Sequence, residues 1–134
     1  MSSLELQKAL VTKLKTDPSV TALVGARIYD QPPPNPTFPY LSLGPDQTIP
    51  DRADCCEGSS DVTLQVDAWS RSVGFPEVKR IAEAVRASLQ GEPPFSLTGF
   101  RLVDLTMVDA RTLRDPDGLT SHAAMTFLAL TEPV

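Results

Sequence analysis

SDVTLQVDAWS, from Ser60 to Ser70, is the stretch on which the fold turns. Val62, Leu64, Val66 and Ala68 alternate with Asp61, Thr63, Gln65 and Asp67, the period of a strand with one apolar and one polar face. Such a strand needs a layer to cover its apolar side. The next segment supplies one: a helix over about 73–90, with Val78, Ile81, Ala82, Val85 and Leu89 as its stripe and Gly91 closing it. Two further strands follow, Phe100 to Val108 and Thr120 to Thr131. The connection between them, at 109–119, carries an Asp115-Pro116-Asp117-Gly118 turn.

Upstream, Ser2 and Glu5 read as a capping box ahead of a helix whose Leu6, Leu10 and Leu14 recur every four residues beside Val11. Asp17-Pro18 stops that helix and starts a short second one, with Asp as N-cap and Pro at the first helical position, ended by Gly25. Arg27 to Tyr29 and Tyr40 to Leu43 read as short strands. The five prolines between Pro32 and Pro39 separate them, because proline supplies no ladder donor. Residues 44–60 read as a long loop or an irregular hairpin, a length that usually marks function or mobility. The order α-(α)-β-β-β-α-β-β predicts an α+β domain covering residues 1–134. Its single, mostly antiparallel sheet carries two main helices on one face, with long loops at about 44–60 and 109–119.

Composition narrows function. The formal net charge is −5, without the basic footprint of a nucleic-acid-binding domain. The apolar runs are too short for a membrane-spanning helix, and the N-terminal stretch is too regularly charged for a signal-peptide core. One His and two Cys cannot assemble a Cys/His zinc site, and no phosphate-binding or nucleophile-elbow motif occurs. His122 has no partnered nucleophile motif and reads as structural or surface. Cys55 and Cys56 read as free thiols of a reducing compartment. Asp51, Asp54, Glu57 and Asp61 lack calcium-loop spacing and read as solvated. Arg111 and Arg114, flanked by Asp109, Asp115 and Asp117, read as a solvated turn or an interface rim. Trp69 is either core or an interface anchor.

The last strand is apolar in both phases: Ala123, Met125, Phe127 and Ala129 on one side, Ala124, Leu128 and Leu130 on the other. A strand with one solvated face should not be. Either the second side is shielded by the domain's own loops, or a neighbouring subunit buries it.

Five pieces in order carry a resemblance: DPSVTALVGARIYDQPPP, FPYLSL, VTLQVDAWS, IAEAVRASL and DARTLRDPDGLTSHAAMTF. From Leu4 to about Leu130 the chain resembles the small tail-completion or tail-terminator proteins of long-tailed bacteriophages and gene-transfer particles. It departs mainly in the 44–60 segment. The resemblance implies a structural virion protein with no catalytic residues, cofactor or metal. It implies a homo-oligomer, a hexameric ring, on the head-proximal end of the tail tube. The ring ends tube growth, binds the tail tube protein and a head-side stopper or adaptor, and lets DNA pass without specific binding. Assembly is expected in the bacterial cytoplasm, away from membranes. Candidate subunit-interface residues are Trp69, Leu102, Phe127, Leu128 and Leu130. Candidate tube or neck contacts are Asp51, Arg52, Asp54, Arg111, Arg114, Asp115 and Asp117. The competing readings are another head–tail neck component, or a small cytoplasmic binding domain or enzyme using a cleft beside Cys55, Cys56 and His122.

Overall fold

The computed structural model of the chain describes residues 1–51, 58–90 and 94–134. Helix α1 (Ser3–Thr16) buries Leu6, Leu10 and Leu14, as the four-residue period requires. The capping box does not form. Ser2 has helical backbone angles and no cap bond, and its hydroxyl lies 2.7 Å from the Thr131 hydroxyl at the far end of the chain. A long-range partner has displaced the local one. Helix α2 (Pro18–Val24) follows the local rules: the Asp17 carboxylate accepts from the Ser19 N–H at 2.9 Å, Pro18 opens the helix, and Gly25 closes it with φ of 61°.

Strands β1 (Ile28–Tyr29), β2 (Tyr40–Leu43), β3 (Gln47–Pro50), β4 (Ser60–Ser70), β5 (Phe100–Arg114) and β6 (Ser121–Pro133) form one sheet. Helix α3 (Pro76–Leu89) lies between β4 and β5 in sequence. The order across the sheet is β1-β2-β4-β6-β5, with β3 also paired to β4. Only β1–β2 is parallel among these pairs. The fold is therefore α+β with a mostly antiparallel sheet, as the segment order predicted.

Two boundaries differ from the sequence reading and one open choice is decided. Of the two readings of 44–60, a long loop or an irregular hairpin, the structure favours the second: a strand, β3, stands inside it and pairs antiparallel with β4. The β-branched pair Thr48 and Ile49 faces Val62 and Asp61, and the Asp51 N–H continues the ladder to the Ser59 carbonyl. The rest of that segment, 52–57, lies outside the described residues. Strand β5 runs on to Arg114, so the connection expected at 109–119 shrinks to 115–120. Pairing with β6 carries the ladder through polar residues that had read as a loop. Two bulges, at Val103 and Val108, break the β5 alternation and hid its length. Helix α3 starts at Pro76, just after Gly74 with φ of 75°, and the expected closing Gly91 lies outside the described residues.

The core lies between the helices and one side of the sheet. Val78, Ile81, Val85 and Leu89 of α3 and the three leucines of α1 meet Val62, Leu64, Val66 and Ala68 of β4 and Ala123, Met125, Phe127 and Ala129 of β6. Each large side chain fully removed from water contributes about 1.5–3 kcal/mol, so this one face supplies much of the drive to fold. Ser70 joins the layers: its hydroxyl donates to Glu77 of α3 at 2.7 Å and accepts from the Ser72 N–H.

Candidate interaction surface

Directly paired residues of antiparallel strands share a face. The register therefore lists the side of the sheet away from the helices, row by row. Ile49, Asp61, Leu130 and Asp104 form one row, and Gln47, Thr63, Leu128 and Thr106 the next. Gln65, Thr126 and Asp109 follow, then Asp67, Ala124 and Arg111, then Trp69, His122 and Leu113. Along β6 the two sides differ sharply: the odd-numbered residues from Ser121 to Thr131 are buried and the even-numbered ones from His122 to Glu132 are only partly covered. This open face holds apolar Ile49, Ala124, Leu128 and Leu130 among Asp61, Asp104 and Asp109.

The β2 side of the open face is stapled by polar and aromatic contacts. Asp67, only 6% exposed, accepts on Oδ1 from Gln65 Nε2 at 2.8 Å and pairs through the same oxygen with His122 Nε2 at 2.7 Å. A carboxylate can only accept, so the imidazole donates from Nε2. The imidazole lies flat on Trp69, centroids 3.9 Å apart and planes 8° apart. Trp69 Nε1 donates to the Ser42 hydroxyl at 2.9 Å, and Tyr40 stacks on its other neighbour side at 6.2 Å. Phe38 meets Tyr40 edge-on and carries the Arg71 guanidinium 4.3 Å from its centroid. These contacts tie β2, β4 and β6 together with their polar groups satisfied. They build a rigid platform and leave His122 committed to Asp67 rather than to a nucleophile.

The β5–β6 hairpin tip is also ordered by its own chemistry. Asp117 Oδ1 accepts from the N–H groups of Leu119 and Thr120, and Oδ2 from the Thr120 hydroxyl. Those bonds, the Leu119 N–H first, hold the Asp117 carboxyl below its ordinary value. Arg71 Nε reaches the Thr120 hydroxyl at 3.2 Å, and the Ser121 hydroxyl donates to the Gly74 carbonyl at 3.1 Å. Leu113, Leu119 and Val73 stay exposed around this tip. Arg111 and Arg114 separate: Arg111 is on the open face opposite Ala124, while Arg114 lies over the Phe75 ring at the start of α3, 4.6 Å from its centroid.

The sequence-derived contact residues thus divide. Leu128 and Leu130 lie on the open face, and Trp69 is half-buried there. Phe127 and Leu102 do not: both are in the chain's own core on the helix side, Phe127 fully enclosed and opposite Leu64 and Met107. Their parity along the strand puts them there, so they leave the candidate contact. Asp115 and Asp117 flank the hairpin turn, and Asp51 follows β3. Arg52, Asp54, Cys55 and Cys56 lie outside the described residues, so the cleft expected beside the two cysteines does too. Sequence reasoning missed Ile49, Leu113, the Asp104 position and the Asp67–His122 pair; Asp109, read as part of a turn or interface rim, stands on β5 opposite Thr126. Only register reveals these, although Asp67 already stood in the polar phase of β4.

A family model described as tail completion protein gp17 matches residues 8–132. A curated relative, the tail completion protein gp17 of Bacillus phage SPP1, is 25% identical over 122 residues, covering 91% of this chain and 88% of the relative. A solved structure titled as the virion of a native gene transfer agent particle contains a chain that superposes with a TM-score of 0.88 at 28% identity, covering 98% of this chain and 97% of that one. The solved structure of bacteriophage SPP1 gp17 shares the fold, with a TM-score of 0.60 at 22% identity over 98% and 90% of the two chains.

Proposed function

The chain belongs to the tail completion protein gp17 family, a family of structural virion proteins, and from that premise we propose that it closes into a ring of six on the head-proximal end of a tail tube. There it ends tube growth and joins the tail to the neck of the filled head. It is made and assembled in the bacterial cytoplasm and becomes part of a phage or phage-like particle. Its partners are the tail tube protein on one side and a head-side stopper or adaptor on the other.

The observation that carries this reading is the second face of the sheet: partly apolar at Ile49, Leu128 and Leu130, with every helix packed on the opposite side. Sheets bury apolar faces against another layer, and this one has no layer of its own chain among the described residues. A neighbouring subunit supplies it. In a ring each subunit offers two different patches, and the step closes when the rotation returns to the start. Leu128 and Leu130, with Trp69 at the edge of its aromatic platform, form the centre of one patch.

Ending a tube requires matching the last tube ring on one axial side while failing to copy that ring on the other. The pre-ordered hairpin tip, with Arg114, Asp115 and Asp117, suits one axial contact because its turn is fixed before any partner arrives. Asp51, with Arg52 and Asp54, belongs to the second. The net charge of −5 permits a lumen without the counterion-releasing grip of a basic one, through which genome would pass.

The decisive experiment is electron microscopy of particles made without this protein. The expected result is tails of uncontrolled length that fail to join heads. Normal particles overturn the reading, and tails of normal length with unjoined heads would move the protein from tube termination to a purely neck role.

A further inference from the structure

We propose that the occupant of the open sheet face is helix α1 of the adjacent copy, laid lengthwise along β6 between β4 and β5 so that its basic outer stripe meets the acidic residues there. The inference rests on the ring reading and names the two surfaces of its contact. Helix α1 packs its leucines on the core side of the sheet, so its outer stripe faces away from the open face of the same copy. The two patches lie on opposite sides of one molecule, which makes a front-to-back contact the natural one.

Chemistry matches across the step. The exposed stripe of α1 is Leu4, Lys8, Thr12 and Lys15, spaced four, four and three residues, one line along a helix. The helix carries Lys8, Lys13 and Lys15 against one carboxylate, Glu5, which pairs with Lys8 at 3.5 Å. Grooves of about 490 and 380 Å³ flank the stripe on its two sides, Asp30 standing on the far wall of the narrower. The stripe is therefore a ridge between two channels. On the open face, Asp61 and Asp104 stand on either side of Leu130 and Asp109 two rows on, with Arg111 in the row beyond. Glu132 pairs with Arg101 and Asp67 with His122. The result is an apolar centre with an acidic surround facing a ridge with an apolar end and basic body.

Dimensions agree as well. The 14 residues of α1 span about 21 Å. The 11 paired rows of β4 and β6 span about 36 Å, enough for the whole helix to lie lengthwise. The contact gives the sheet a helix layer on both sides, the packing that half-apolar strands such as β6 require.

The test is zero-length carbodiimide cross-linking of purified particles, followed by mapping of the linked peptides. The expected links join Lys8, Lys13 or Lys15 of one copy to Asp61, Asp104 or Asp109 of the next. A ladder of multimers joined only through other residues overturns this inference and leaves the ring intact; absence of any multimer of this chain overturns the ring itself. A charge swap gives the second arm. Lys8→Glu with Lys15→Glu should lower the yield of joined particles at least about tenfold, since like charges then face each other across the contact. Adding Asp61→Lys and Asp104→Lys in the same chain should restore it. All four positions are exposed, and circular dichroism of each variant confirms that folding is unchanged. Loss without rescue overturns the pairing.

Discussion

Strand β6 carries two surfaces with different work to do. Ala123, Met125, Phe127 and Ala129 are sealed under α1 and α3; Ala124, Thr126, Leu128 and Leu130, one residue out of phase, are only partly covered. Side chains of similar apolarity thus hold one fold together on one side and remain available for a second molecule on the other. What separates them is parity alone: a strand alternates, so a shift of one residue changes folding energy into binding energy.

The sharpest way to break that comparison is to place the same charge on each side. Phe127→Asp puts a carboxylate into the sealed face and should unfold the domain, because the cost approaches the whole stability of a small protein. Leu128→Asp should leave the far-ultraviolet circular dichroism spectrum intact and remove assembly. The milder pair should separate in the same direction in urea titrations: Phe127→Ala costs about 3–5 kcal/mol, Leu128→Ala less than about 1 kcal/mol. Equal losses at the two positions would end the distinction.

Next in size is the polar staple of the open face. His122→Phe keeps a ring over Trp69 but strips a donor from the buried Asp67, and should cost about 3 kcal/mol in the same titration. Combining it with Asp67→Leu should recover most of that loss, since the buried acceptor is then gone and only the part-exposed Gln65 amide must turn to water. Without recovery, the pair stabilises through something other than its hydrogen bond.

Smaller still is the backbone approach beside that staple. A Cβ added at Gly44 would meet the Gln65 Cβ at 2.9 Å, where the Gly44 N–H donates to the Gln65 carbonyl. Gly44→Ala should cost about 1–2 kcal/mol of stability through that overlap. The smallest effect concerns the hairpin tip. The folded Asp117 carboxyl lies below its ordinary value, so protons bind the disordered turn more readily than the ordered one. Its contribution is complete above the ordinary aspartate value and is lost as pH falls through the lowered one. Amide exchange at Leu119 and Thr120 should rise over that acidic range while Phe127 stays protected; Asp117→Asn should flatten the dependence.

The sequence was legible where a local period or a local cap decides. The alternation of β4, the leucine period of α1, the Asp17-Pro18 start of α2 and the Asp115 to Gly118 turn all stand as read, because neighbours in sequence fix them. It misled where a distant partner wins. Ser2 prefers Thr131 to its own helix, polar residues 109–114 become strand because β6 pairs with them, and two bulges erase the period of β5. The candidate surface was half legible. That β6 has two apolar phases is written in the chain, but Leu128 and Leu130 could not be distinguished from Phe127 and Leu102 without knowing which phase the helices cover.

By itself, then, the amino-acid order determined the kinds of element, the α+β class and the presence of an apolar side in excess of what one core needs, since side-chain spacing encodes amphipathicity residue by residue. Only the tertiary structure decided which side that is, that acidic residues from β4 and β5 surround it, and that α1 turns its lysines away from it. Those facts depend on strand register and on the stacking of layers, which join residues too far apart in the chain for any local pattern to specify.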